Sequence, residues 1–581
     1  MKNNATKKIL YGKSNFEAMI ESNGYYIDKT HFIEKLENLG ADYILFLRPR
    51  RFGKSLFIST LEHYYDINRA QQFDELFSKL YIGKKPTPLK NSFPILKFNF
   101  SAVITHGTVE EIESSFNLRV FSDIESFYYK YPKLTGGIDE FNKEIKPIKR
   151  ASDMFNRFIS QMSNRQIKYY LLIDEYDNFA NNILADHGKD RYEKITHGTG
   201  FLRNFFTIIK TGTDTRAVDK MFATGVSPLL MSDVTSGFNI GENISQSPNF
   251  NEMVGFTRQE VETMVDYYIA QKVIAKKDRN KVLTIMKNVY DGYSFSPDSS
   301  QTIYNSNSVL YLINQYMQLN KLPMHVIDSN MKTDYQKLRF LVIESKKLNG
   351  NFNLLSEIIT TNETKATLVK NFPVSELIEK DKFVSFLYYL GFLTIKKQVI
   401  DKYIFTVPND MCKEILWEYI RKALHDAYSL NLRHLETLYS EMAEKGEWEP
   451  LFRYIFAEFY RAVSNRDFIY REEGVKGFLL AYLNLSTAYR IHSECEMNKG
   501  YADIYIEPNV MIFSDMCPEH FIVELKYLNK AQVKEKALNK HFAEAKTQLL
   551  KYAKDRKAPA NATKIIAITT NEKLLTLESF K

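Results

Sequence analysis

Residues 43–61 read YILFLRPRRFGKSLFISTL. Tyr43 to Leu47 make a short apolar run of the kind that forms a buried strand, and the segment after the loop carries apolar residues at helical spacing. The loop between them ends in Phe52-Gly53-Lys54-Ser55, the GK[ST] end of a Walker A loop. A loop that feeds a helix N-terminus presents backbone N–H groups to an anion. A lysine then serves the β/γ-phosphates and a hydroxyl serves Mg²⁺. Gly53, Lys54 and Ser55 fit these three parts. The full motif would place glycine where Arg48 stands, so the loop is degenerate by strict pattern.

Working outward, YYLLIDEYDNF is an apolar run from Tyr169 to Ile173 that ends in Asp174 and Glu175. An acid at the end of a buried strand suits the Mg²⁺ partner of such a loop. Asp174 takes that part, and Glu175 the polarising of an attacking water. A further strand in MFATGVSP ends in Thr224, placed as a polar sensor beside the γ-phosphate. With FPILKFNF these runs alternate with helical segments up to about Gly255. That alternation predicts an α/β domain with a largely parallel sheet and an ATP site at the carboxyl ends of its strands.

Near the C-terminus three pieces occur in order: Asp503 in GYADIYIEP, Glu524 and Lys526 in HFIVELKYL, and Gln548 with Tyr552 in QLLKY. FIVELKYL reads as a strand, and alternation puts Glu524 and Lys526 on one face with Val523 and Leu525 on the other. YADIYI reads as the preceding strand, with a reversal at Pro508 and Asn509 that pairs the two and brings Asp503 near Glu524. Two carboxylates and an ammonium in one small volume are the ingredients for cutting a phosphodiester with a divalent cation, Mg²⁺ or Mn²⁺. Gln548 and Tyr552, four apart, share one helix face.

This pattern resembles the PD-(D/E)XK nuclease superfamily, with Asp503 as its aspartate and Glu524-x-Lys526 as its ExK. Gln548 and Tyr552 match the QxxxY signature of the RecB-like branch. The resemblance implies Asp503 and Glu524 as metal ligands, Lys526 as catalytic, and a further carboxylate from the domain's first helix. REEGVKGFLLAYL offers Glu472 or Glu473 there, and spacing to Gly477 favours Glu472. On the N-terminal side, RPRRFGKSL and IDEYD resemble the bacterial AAA-ATPase-like proteins that carry a C-terminal PD-(D/E)XK domain. So do YYIDKTHFIEKL, GFTRQEV, YDGYSF and LYYLGFLTI. RPRRFGKS is the usual form in that family, so Arg48 is a family trait. Relatives often have a basic residue near Pro228, whose part Arg203 or Lys210 would take here.

The implied architecture is α/β. A P-loop NTPase domain with a parallel sheet spans 1–255 with its leader, and a helical and winged-helix-like region with a connector spans 256–464. A restriction-endonuclease-like α/β domain spans 465–581. FVSFLYYLGFLTIKKQVIDKYIFTVPND reads as the helix, turn and hairpin of the winged helix.

At 581 residues the chain exceeds one core. Its net charge of +8 is compatible with nucleic acid, and the lysines from Lys526 to Lys557 could track a phosphate backbone. Cys412, Cys495 and Cys517 form neither a disulfide framework nor a zinc site. MKNNATKKILYGKS lacks the apolar run of a signal peptide, and no stretch suits a membrane span, so the cytoplasm is expected.

The reading is an ATP-dependent or ATP-gated, Mg²⁺-dependent nuclease, both ATPase and deoxyribonuclease, with DNA preferred over RNA through the RecB-like resemblance. The alternative is an ATP-controlled regulatory switch whose nuclease fold binds nucleic acid or a partner without cutting. A homo-oligomer would let Arg50, Arg51, Arg191 or Arg203 of one copy complete the nucleotide site of another.

Overall fold

The apolar runs of the N-terminal half become one five-stranded sheet: β1 (Tyr43–Leu47), β2 (Ile95–Asn99), β3 (Tyr169–Asp174), β4 (Val218–Gly225) and β5 (Glu242–Asn243). Its order is β2-β3-β4-β1-β5, and every pairing is parallel. All six residues of β3 are buried, as are four of the five in β1. A parallel sheet covered on both faces demands such continuous runs. Neighbours β1 and β4 send their connections in opposite directions, β1 toward β2 at the far edge and β4 past β1 to β5. Their carboxyl ends therefore open a crevice.

The covering helices explain the abundance of phenylalanine. Phe98 on β2 meets Phe155 and Phe205 edge-on at 5.3 and 5.5 Å, and Phe116 of helix Val109–Lys130 meets Phe205 at 5.2 Å. Such pairs add about 0.5–1.5 kcal/mol each beyond the area they bury. Helix Arg258–Ala270 opens with a capping box between Thr257 and Glu260. The same Glu260 pairs with Lys29 at 2.7 Å. The distant segments YYIDKTHF and GFTRQEV are thus pinned to each other.

The computed structural model describes residues 5–581 except 235–240, 324, 329, 332–342, 345–346, 349, 429–431, 464–471, 485, 487, 509–518, 530–532 and 571. It also leaves out the side chains of 343–344, 347–348, 353, 356, 360, 421, 424–428, 432–433, 462–463 and 472–473. Two compact units result: Met1–Lys337 with Lys365–Asp410, and Leu338–Thr364 with Met411–Lys581. Short strands β6 (Ile343–Glu344) and β7 (Lys347–Leu348) pair in the second, and β8 (Glu363–Ala366) follows. In the first, helix Lys380–Tyr389 precedes a hairpin of β9 (Thr394–Val399) and β10 (Lys402–Thr406), the expected helix–turn–hairpin.

The second unit holds another five-stranded sheet: β11 (Tyr489–Met497), β12 (Gly500–Pro508), β13 (Phe521–Tyr527), β14 (Thr563–Thr569) and β15 (Leu574–Phe580), in that order. All neighbours are antiparallel except β13 and β14. A parallel pair needs a crossover, which helix Glu535–Tyr552 supplies. Ala545, Leu549 and Tyr552 of that helix pack with Tyr505, Ile522, Ile566 and Ile568 in a buried cluster. The expected pairing of YADIYI with FIVELKYL is present, while the proposed reversal after Pro508 lies outside the described residues.

Candidate functional site

In the loop after β1 the left-handed positions are Arg51 (φ +66°) and Gly53 (φ +101°), not residue 48. Gly53 stands as N-cap of helix Lys54–Tyr65, at a φ that L side chains rarely adopt. The backbone makes no such demand at position 48. Arg48 instead turns into the core, 1% exposed. Its guanidinium donates to the carbonyls of Leu47 (2.9 Å), Ser245 (2.6 Å) and Phe250 (3.1 Å). The rings of Phe46 and Phe295 lie 4.4 and 4.3 Å from it. Arg48 is therefore an anchor that ties the loop to residues 245–250.

Lys54 is buried, and its Nζ donates to the carbonyls of Arg48 (2.9 Å) and Pro49 (3.0 Å) across the arch of the loop. Burial draws its pKa down to about 8, against the opposing pull of Glu175, Asp174 and Asp177. At the end of β3, Asp174 is hydrogen-bonded to the Ser55 side chain, and burial raises its pKa. Asp174 Oδ1 is buried and makes no hydrogen bond among the described residues. Serine and aspartate thus meet as a Mg²⁺–nucleotide site requires. Glu175 holds a left-handed φ of +51°, uncommon for a side-chain-bearing residue. Its carboxylate accepts from Asn178 Nδ2 at 2.9 Å, and Asn178 Oδ1 accepts from Arg50 at 2.6 Å. Burial first, then Asp174, raises the pKa of Glu175.

Arg50, Lys54, Ser55, Glu175 and Asn178 line a cleft of about 580 Å³. Apolar walls come from Leu10, Met19, Tyr25 and Ile27 of the leader and from Val254 and Phe256. The size suits a small-molecule site. The sequence had not assigned the leader to this lining. Nor had it assigned Asp177, which accepts from the N–H groups of Val226 (3.1 Å) and Ser227 (2.8 Å) and so ties IDEYD to the end of β4. The third acid in IDEYD was its only signal. Thr224 is fully buried and donates to the carbonyl of Phe46 at 2.7 Å. It does not line the cleft, and its hydroxyl serves the strand beside it. Arg203 and Lys210 are exposed on helix Phe201–Asp214, and Arg191 donates to Gly107. Of the arginines considered, Arg50 and Arg51 line the cleft.

In the second unit, β12 and β13 pair at Ile504↔Val523, Tyr505↔Ile522 and Ile506↔Phe521, and then the ladder stops. An N–H freed where strands part needs another acceptor. Asp503 provides it: Oδ2 accepts from Leu525 N–H at 2.8 Å. Continuing the register sets Asp503 across from Glu524. Glu524 is buried, and Lys526 donates to its Oε1 at 2.7 Å, so the two share a face as expected while Val523 and Leu525 lie buried. Gln548 and Tyr552 stand on helix Glu535–Tyr552. The charges of Glu524, Asp503, Lys526 and Glu494 all act on the Tyr552 hydroxyl, whose pKa is raised chiefly by burial. Its ring lies against Gly500, where an added Cβ would meet Tyr552 Cε1 at 2.7 Å and push the ring aside. Gln548 Oε1 is buried and finds no hydrogen-bond partner among the described residues.

Helix Glu472–Leu483 begins at the expected carboxylate, but the side chains of Glu472 and Glu473 lie outside the described residues. The residue that does reach in from this helix is Lys476, bonded to Asp503 and Glu494. Sequence reasoning missed both, since Glu494 sits mid-strand in YRIHSECEM without motif context. Among the described residues no group of three or more Asp, Glu, His or Cys is placed to hold a metal. Asp503 and Glu524 form a two-carboxylate oxygen set of the kind Mg²⁺ takes, with water and phosphate filling its other positions. Of the C-terminal lysines, Lys551 on helix Glu535–Tyr552 and Lys557 beyond it donate to the carbonyls of Lys499 and Glu496, while Lys540 and Lys546 on the helix are exposed. No helix among the described residues is long and apolar enough to cross a membrane.

Comparison with known proteins matches residues 10–235 to the family described as "Predicted AAA-ATPase" and residues 470–574 to the PD-(D/E)XK nuclease superfamily. A curated relative from Azotobacter chroococcum mcd 1, an uncharacterized protein in the vnfD 5' region, is 26% identical over 308 residues. That match spans 53% of this chain and 52% of the relative, about half the length of each. Among solved structures, a Walker-type ATPase of Pyrococcus abyssi is 11% identical, covering 70% of this chain and 98% of its own, with a TM-score of 0.42. The ORC2 protein of Aeropyrum pernix is 9% identical, covering 68% and 92%, with a TM-score of 0.30. The chain joins an AAA-ATPase-like region to a region of the PD-(D/E)XK nuclease superfamily.

Proposed function

We propose that this chain is an ATP-gated, divalent-metal-dependent nuclease acting on DNA in the cytoplasm. The observation that carries the reading is the gathering of Asp503, Glu524 and Lys526 at the point where β12 and β13 part. Asp503 and Glu524 would hold Mg²⁺ or Mn²⁺, which supplies Lewis-acid stabilisation and an activated water when bound. Lys526 neutralises charge that develops at the phosphate. Tyr552 and Gln548 support the site from the crossover helix rather than take part in chemistry.

In the first unit ATP is the substrate of the cleft. Lys54 meets its phosphates, while Ser55 and Asp174 hold its Mg²⁺. Glu175, held by Asn178, orients and polarises water. Arg50 and Arg51 already line the cleft, so the reading does not require an arginine from a second copy.

The test is cleavage of linear, circular and single-stranded DNA with Mg²⁺ or Mn²⁺, with and without ATP, beside Lys526→Ala. Metal-dependent cutting should fall by about 10²–10³ in the variant, the cost of losing one charge-stabilising group, with ATP turnover unchanged. Cutting that survives the substitution refutes the assignment. No cutting by the wild-type chain under any of these conditions, with ATP still bound, would instead favour a nucleotide-controlled switch.

A further inference from the structure

Asp503 carries a cation supplied by the protein itself. The Lys476 side chain is 5% exposed, and its ammonium donates to Asp503 Oδ1 at 3.3 Å and to Glu494 Oε1. Glu494 lies across from Asp503: β11 and β12 pair at Ser493↔Ile504 and Cys495↔Ala502, and the pair between them is skipped. Glu494 has a φ of +50°, a left-handed conformation in the middle of a strand. Irregular strand positions of this kind re-aim a side chain, and they cluster beside active sites. The other Asp503 oxygen is fixed by the Leu525 N–H.

A buried ammonium is stable only when compensated. Here part of the compensation comes from the carboxylate that the proposed function assigns to a divalent cation. Two cations therefore contend for one carboxylate. Glu494, whose side chain is 46% exposed, offers Lys476 a second seat away from Asp503.

We propose that Lys476 is an intramolecular competitor for Asp503, and that Glu494 is a positioning residue acting through Lys476. Together they set the divalent-cation concentration at which the site fills. The inference rests on the nuclease reading of this site. When a divalent cation takes Asp503, the ammonium is drawn onto Glu494 and no bond is made or broken. The two substitutions then have opposite signs. Lys476→Met keeps the apolar stem and removes the competitor, so the cation binds more tightly. Glu494→Gln removes the second seat, so Lys476 rests on Asp503 and the cation binds less tightly.

The experiment is Mn²⁺ titration of the full chain by calorimetry, without nucleotide, taking as signal the binding lost in Asp503→Asn. Lys476→Met should tighten binding about tenfold, the scale of one unit charge at contact distance under strong screening. Glu494→Gln should weaken it severalfold. In the Lys476→Met background Glu494→Gln should have little further effect, because Glu494 acts through the lysine. The exposed Lys551→Met, another lost positive charge nearby, should leave affinity unchanged. Wild-type binding that is not tightened by Lys476→Met overturns the proposal and leaves the nuclease reading standing. A full Glu494→Gln effect without Lys476 overturns it equally. Absence of Asp503-dependent binding in both wild type and Lys476→Met overturns the nuclease reading, and this proposal with it. If Lys476→Met does not fold, Glu494→Gln decides: weaker binding supports the proposal and unchanged binding refutes it.

Discussion

Both units bury cations, yet they hold them by different means. Around the loop after β1, Arg48 in the core and Lys54 in the cleft are held by main-chain carbonyls: Leu47, Ser245 and Phe250 for the one, Arg48 and Pro49 for the other. At the β12–β13 site, Lys476 and Lys526 are held by the carboxylates of Asp503, Glu494 and Glu524. A carbonyl brings a dipole and no counter-charge, so a cation held that way stays under-compensated in a dry environment. The lowered pKa of Lys54 reflects that burial. An arriving anion gains from it. The other site sets three carboxylates against two ammonium groups and keeps an appetite for positive charge. On the proposed reading, the first arrangement would receive a polyphosphate and the second a divalent metal.

The strongest way to break this comparison is to give the loop the glycine its motif lacks. Arg48→Gly would strip a donor from the carbonyls of Leu47, Ser245 and Phe250 and empty the space between Phe46 and Phe295. The expected loss is about 3–5 kcal/mol, from cavity formation and unsatisfied acceptors together, with no gain in ATP affinity. Urea unfolding of the first unit and nucleotide titration read both quantities. A stable variant that binds ATP more tightly would show that Arg48 hinders the loop rather than anchoring it.

A gentler probe uses proton concentration. On the proposed reading the form of Lys54 that would meet phosphate is the ammonium, and burial draws its pKa down to about 8. Between pH 7 and pH 9 the charged fraction of such a group falls about tenfold, and ATP affinity should fall by a similar factor. Lys54→Arg should flatten the profile, because guanidinium stays charged throughout. A wild-type affinity that is level across this range would mean that the carbonyls compensate the ammonium as well as carboxylates do.

How much of this was legible in the sequence follows the same division between local and distant causes. The buried strands were legible because a parallel sheet leaves no polar alternation, and YYLLID has none. Glu524 and Lys526 were legible because a period of two fixes their common face. Lys476 was not: its partner Asp503 belongs to another element, and a lysine four residues into an apolar helix looks like a solvated face. Glu494 was hidden because a left-handed residue inside a strand leaves no local mark unless it is glycine. Arg48 looked like a defect in a motif, since two of the three carbonyls that hold it, those of Ser245 and Phe250, come from 197 and 202 positions away. The leader's part in the cleft was hidden for the same reason.

Thr224 tests the smallest of these distinctions. Its place at the end of β4, next to the loop strand, is where a side chain could sense a γ-phosphate. Its hydroxyl is instead used on the carbonyl of Phe46 at 2.7 Å, inside the sheet and away from the cleft lining. Thr224→Val keeps the shape and removes the donor, so stability should fall by about 1 kcal/mol, the net worth of one such bond. ATP turnover at saturation should stay within about twofold, because nothing facing the nucleotide changes and a twofold change is under 0.5 kcal/mol of barrier. A drop of tenfold or more at unchanged stability would mean that the hydroxyl turns toward the nucleotide during the cycle. The polar partner of Phe46 would then be part of the chemistry and not of the sheet.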